Sequence, residues 1–159
     1  MKENMTDKNY SEFLEITGPS RRQVEEINDF LMDSRCRREI KTSKSGFTVS
    51  YLLEESKKTL ATFVCRKTGI KLRIYPQRLP EYMEFLDTLP AKMKKEIIKS
   101  SVCKRLINPD DCNPKCAMGY DFIMDNTRYQ KCRYMAFMPA VTEESTPFIK
   151  EFLRKEFMQ

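Results

Sequence analysis

With 159 residues, the chain has the length of one ordinary domain and can bury a core without disulfide staples. Its 40% hydrophobic and 33% charged residues are globular material. Having no histidine excludes Ser-His-Asp, Cys-His and His-bearing metal sites within one chain, and four scattered glycines write no Gly-rich phosphate loop.

The chain opens on a polar stretch, 1–10, with both charge signs and no apolar signal region, and no apolar run has the length to cross a bilayer. A cytoplasmic protein is the expectation, in one domain over 1–159 whose first dozen residues fray. Gly18, Pro19 and Ser20 mark a helix entry, with Ser20 and Gln23 at capping-box spacing. Val24, Ile27, Phe30 and Leu31 recur at helical period, so a helix is predicted over 20–33. A basic cluster follows: Arg35, Arg37, Arg38, Lys41 and Lys44.

Three strands come next, over 47–53, 59–66 and 70–75. The first alternates Phe47, Val49, Tyr51 and Leu53 with Thr48, Ser50 and Leu52. In the third, Ile70, Leu72 and Ile74 should face the core while Lys71, Arg73 and Tyr75 face away. Their short connections imply antiparallel pairing. Leu79-Pro80 opens a helix that Pro90 breaks, and a second runs over 90–101 with Met93, Ile97 and Ile98 inward. A loop with two prolines and three cysteines spans 103–119. A hairpin follows, 120–124 and 128–137, turning at Asp125-Asn126, and a helix over 143–157 carries Phe148, Ile149, Phe152 and Leu153 as its apolar stripe.

The predicted order is α-β-β-β-α-α-β-β-α. It describes an α+β fold of about five antiparallel strands with helices on one face. As an order of elements, over most of the chain, it resembles small bacterial domains of the YdhG and YjbR type. That resemblance implies a fold and carries over no site residue.

Six cysteines are present. Cys65 alternates with strand neighbours as a small buried hydrophobe. Cys36 lies among arginines, which could lower its thiol pKa, or it is an ordinary loop cysteine. The other four form a set, Cys103-x8-Cys112-x3-Cys116-x15-Cys132. Thiolates at tetrahedral corners suit zinc, and Asn113 and Pro114 favour a turn joining Cys112 to Cys116. A zinc site, free thiols and disulfides are all open for these four cysteines, disulfides being disfavoured in the cytosol.

The net charge is +6 and the pI near 9.0, which admits an anionic partner without requiring one. If the third and fifth strands are neighbours, Lys71, Arg73, Tyr75, Tyr129, Lys131 and Arg133 make one basic, aromatic patch. Cations beside ring faces suit nucleic acid or another anionic ligand, while the plain alternative is a solvated outer sheet face. The sequence therefore suggests a non-catalytic binding module with a zinc site. The alternative is a thiol enzyme or redox or metal sensor using Cys112 and Cys116, with Lys115 or Arg105 as thiol activators and Asp110 and Asp111 as candidate acid-base groups.

Overall fold

The computed structural model describes residues 5–43, 46–108, 110 and 118–157. In chain order these form helices α1 (Met5–Ile16) and α2 (Arg21–Asp33), then strands β1 (Cys36–Ser43), β2 (Gly46–Leu53), β3 (Thr59–Arg66) and β4 (Gly69–Ile74). Two 3-10 segments, Leu79–Glu81 and Met83–Thr88, lead to helices α3 (Ala91–Lys99) and α4 (Lys104–Ile107). Strands β5 (Tyr120–Met124) and β6 (Thr127–Lys131) and helix α5 (Thr146–Phe157) complete the order. The fold is α+β, as the sequence predicts. None of the described helices is long and apolar enough to cross a membrane.

The first sheet is an antiparallel meander in the order β1-β2-β3-β4, and β5 and β6 form a separate hairpin. In the meander, register aligns Ile40, Val49, Phe63 and Leu72 in one row. Period-2 alternation sends that row, and Tyr51, Ala61 and Ile74 beside it, to one face. Against this face pack Phe13 of α1, Val24, Ile27 and Leu31 of α2, and Ile149, Phe152 and Leu153 of α5, all buried in one core. Phe13 lies 5.8 Å from Phe63 between ring centroids, and Tyr51 meets Phe63 edge-on at the same distance.

The free edge of β4 is sealed by a strap far along the chain, 137–141. Ile74 N–H donates to Phe137 O at 2.7 Å, Leu72 N–H to Pro139 O at 3.0 Å, and Val141 N–H to Ile70 O at 2.9 Å. In the hairpin, Asp125 and Asn126 adopt φ of 51° and 64°, the two positive values a type I′ turn needs. Asp87 Oδ1 accepts from Asp125 N–H at 2.7 Å, and Lys94 pairs with the same aspartate at 3.0 Å.

Several elements differ from expectation. Residues 5–16 are helical because Tyr10, Phe13 and Leu14 give that segment an apolar stripe, two of them fully in the core. The basic cluster after α2 is a strand. Its alternate residues Cys36, Arg38 and Ile40 lie on the core side, where Arg38 donates to Asn28 Oδ1 at 2.9 Å and stacks over Tyr10 at 3.9 Å. Tyr51 OH reaches the same Asn28 oxygen at 2.6 Å, so a buried asparagine accepts from both sides. Finally, the expected helix after Leu79 is two 3-10 segments.

Cys36 is buried, and its thiol is pushed up from an ordinary 9.0 to about 11, first by burial and then by nearby Glu54. The arginines around it do not activate it. Burial likewise pushes the Tyr10 phenol from 10.0 to about 12, with Arg38 pulling the other way. Both groups keep a proton in the fold that the unfolded chain gives up earlier. Stability is therefore fully present below pH 9 and falls as pH rises from 9 towards 12. The urea midpoint is expected to be level between pH 7 and 8.5 and to drop beyond 9. Cys36→Ala should flatten the part of that drop between pH 9 and 11; an unchanged slope would show that Cys36 does not carry it.

Candidate anion-binding site

The face of the meander away from the helices is polar. Register places Glu39, Ser50, Thr62 and Arg73 in one row across all four strands, and Lys41, Thr48, Val64 and Lys71 in the next. Ser50 Oγ and Thr62 Oγ1 are hydrogen-bonded at 3.0 Å. Tyr75 stands just past the end of β4.

After β6 the chain turns back at 132–135 and then enters the strap along β4. That route delivers Arg133 and Tyr134 to the Tyr75 end of the sheet. The Tyr75 and Tyr134 rings meet edge-on, 5.9 Å apart at 83°. Together these residues border an open hollow of about 560 Å³. Its cations are Lys58, Arg73 and Arg133, its hydroxyls come from Thr48, Ser50, Thr59 and Thr62, and among the described residues no carboxylate lines it.

The electrostatics agree with that convergence. Burial pushes the Tyr75 phenol up, while Arg73, by hydrogen bonding and charge, and Arg133, by charge, hold it back. Arg73 Nε is shut off from solvent without an acceptor among the described residues. Arg133 is braced from behind: Nε donates to Met118 O at 3.0 Å, Nη1 donates to Tyr120 OH at 3.1 Å, and the guanidinium lies 4.9 Å from the Tyr120 ring centre.

Of the six residues of the expected basic patch, Arg73, Tyr75 and Arg133 come together here. Lys71 shares the same face, one row away. Tyr129 and Lys131 lie elsewhere, because β4 and β6 belong to different sheets. Tyr129 packs on Phe122 at 5.7 Å. Lys131 is buried, and its Nζ donates to Ile98 O at 2.8 Å and Ser100 O at 2.9 Å, capping the carbonyl end of α3. The strand predicted to run to 137 stops at 131, which is why Arg133 swings away from those two. Lys58, Tyr134 and the hydroxyls of Ser50 and Thr62 are the site residues sequence reasoning missed. Alternation from Val49 and Phe63 marks Ser50 and Thr62 as outward, but the route of the turn that supplies Tyr134 has no local signal.

A larger hollow, about 860 Å³, lies between Arg35, Glu54, Arg78, Glu81 and Glu156. In it Arg78 pairs with Glu81 at 2.5 Å, and Glu156 accepts backbone N–H groups.

Of the cysteine set, Cys112 and Cys116 lie outside the described residues, as do Asp111 and Lys115. Cys103 and Cys132 are described, and both are free thiols. Val102 bridges to Lys131; Cys103 N–H donates to Gln130 O at 2.9 Å and Cys132 N–H to Ser101 O at 2.7 Å. The two cysteines thus flank one bridged pair. Gly119 N–H donates to Cys103 Sγ at 3.3 Å. Asp110 is exposed and its N–H donates to Asn108 Oδ1 at 3.2 Å, the geometry of an Asx turn. Among the described residues, no three Cys, Asp or Glu side chains converge to hold a metal.

The fold and hollow define an α+β domain with a cationic outer sheet face. Compared with known proteins, the chain matches no family model, no curated protein and no solved structure.

Proposed function

We propose that this chain is a binding module that takes an anionic ligand, nucleic acid or nucleotide, on the outer face of its four-stranded sheet. The observation that carries this reading is the convergence of Arg73, Arg133 and Lys58, from distant parts of the sequence, on one hollow that no carboxylate among the described residues lines. The test is binding of a fluorescent single-stranded oligonucleotide and a mononucleotide across a salt series. Arg73→Ala is expected to weaken binding about tenfold, the worth of one hydrogen bond to a charged group, and to make its salt dependence shallower. A wild-type protein that binds neither ligand at low salt would overturn the proposal.

A second element of the reading is structural: one zinc ion held by Cys103, Cys112, Cys116 and Cys132. It is supported by Cys103 and Cys132 flanking the Val102–Lys131 bridge and by the N–H that Gly119 donates to the Cys103 sulfur. Free thiols suit a reducing compartment, so the reading sets the protein in the cytoplasm. Native mass spectrometry should find one zinc per chain, and Cys132→Ser should lose it. A metal-free chain whose thermal midpoint ignores chelators would remove this element and leave the anion site standing.

A further inference from the structure

We infer that the hollow takes the phosphoryl end of a small phosphomonoester carrying a planar ring, a mononucleotide-like ligand, in preference to the diester backbone of a nucleic-acid strand. This rests on the anion-binding reading and narrows it.

Several observations point this way. The cations nearest the hollow converge on it, while Lys71 and Lys41 stand one row away on the same face. Three of them border a single hollow, which matches the extra negative charge of a terminal phosphate better than the single charge of a diester. A strand running across the sheet along the Arg73 row would next meet Thr62 and Ser50, and then Glu39, whose carboxylate already holds Arg37 at 2.9 Å. The row therefore ends in an acid. The other end is closed by the strap on β4 and by Tyr134.

The donors also suit a phosphoryl group. The Ser50 and Thr62 hydroxyls are bonded to each other, so one of the two protons remains free to turn outward. Arg133, held by Met118 O and Tyr120 OH, keeps Nη2 uncommitted among the described residues. A guanidinium already fixed loses little freedom on binding. The volume, about 560 Å³, falls within the range of small-ligand sites. Tyr134 is 42% exposed at the rim, leaving ring surface on which a planar group can stack.

The experiment compares matched probes by calorimetry: adenosine 5′-monophosphate, its phosphate methyl ester, adenosine, inorganic phosphate, and a short oligonucleotide with hydroxyl ends. The monophosphate is expected to bind at least tenfold more tightly than its methyl ester and more tightly than inorganic phosphate, with adenosine weakest. Arg73→Gln and Arg133→Gln, with circular dichroism unchanged, should each erase the preference for the monoester, and Tyr134→Ala should erase the advantage over inorganic phosphate. An oligonucleotide with hydroxyl ends that binds as tightly as the monophosphate overturns this inference while the anion-binding reading survives. Failure of every anion to bind overturns both. Monophosphate binding that ignores both arginine variants places the site elsewhere and overturns both.

Discussion

Replacing Glu156 by alanine is expected to cost about 3 kcal/mol of folding stability, the scale for removing a buried charged acceptor whose donors stay behind. The carboxylate is buried near the end of α5 and collects three donors from one turn. Gln77 N–H reaches Oε1 at 2.7 Å, Arg78 N–H reaches Oε2 at 3.1 Å, and the Tyr82 hydroxyl donates to the same Oε2. Burial first and then this contact push the Tyr82 phenol well above its ordinary range, so it remains a donor. Arg78 Nη1 also donates to Glu156 O at 3.2 Å. The turn after β4 is thereby clamped to the last helix. Urea unfolding of Glu156→Ala and Tyr82→Phe checks the assignment. The tyrosine variant removes one donor and leaves the acceptor satisfied by two others, so it should cost only about 1 kcal/mol. Equal losses from both would show that ring packing, and not the carboxylate, holds the turn.

Gly119→Ala is expected to be nearly as damaging, about 2–3 kcal/mol, through overpacking against backbone. A methyl at this position would sit 2.1 Å from the Lys131 carbonyl oxygen, 2.8 Å from Cys103 Cβ and 3.0 Å from Cys103 Sγ. A flexible side chain can move aside; the carbonyl of β6 cannot do so without breaking its ladder. The glycine is needed because two backbones and a cysteine pass here with no room between them. Thermal unfolding should fall by several degrees, whereas Gly69→Ala, which meets no atom within 4 Å, acts only through its positive φ of 128°. A Gly119→Ala protein as stable as the parent would mean that the base of the cysteine loop is free to shift.

How much of this was legible in the sequence depended on whether the determinant was local. Val49, Tyr51, Ile70, Leu72 and Ile74 announce their face by alternation, and Asp125-Asn126 announces its turn. The core side of β1 was hidden because Arg38 occupies an inward position, made tolerable only by Asn28 and Tyr10 from other elements. Lys131 misled for the same reason: a lysine reads as solvent-seeking, yet two carbonyls at the end of α3 take it inside. Arg73, Tyr75 and Arg133 could be named as candidates from charge and period. That they meet, while Tyr129 does not join them, depends on where the chain turns after β6, and no residue spacing encodes that.

The strap on β4 has a consequence for how the chain is made. The meander from β1 to β4 consists of short hairpins, which close within microseconds. Its last edge, with Ile70, Leu72 and Ile74 beside unpaired backbone groups, waits for partners roughly sixty residues later, a loop closure that is slow by comparison. At ribosomal speeds of about 5–20 residues per second, that apolar edge stays open for seconds on every nascent chain. A strand edge so exposed is a template for pairing with another copy. Synthesis that stops before Phe137 therefore leaves an open-edged sheet prone to aggregation, and a chaperone that shields β4 until the strap emerges would raise the yield of folded protein.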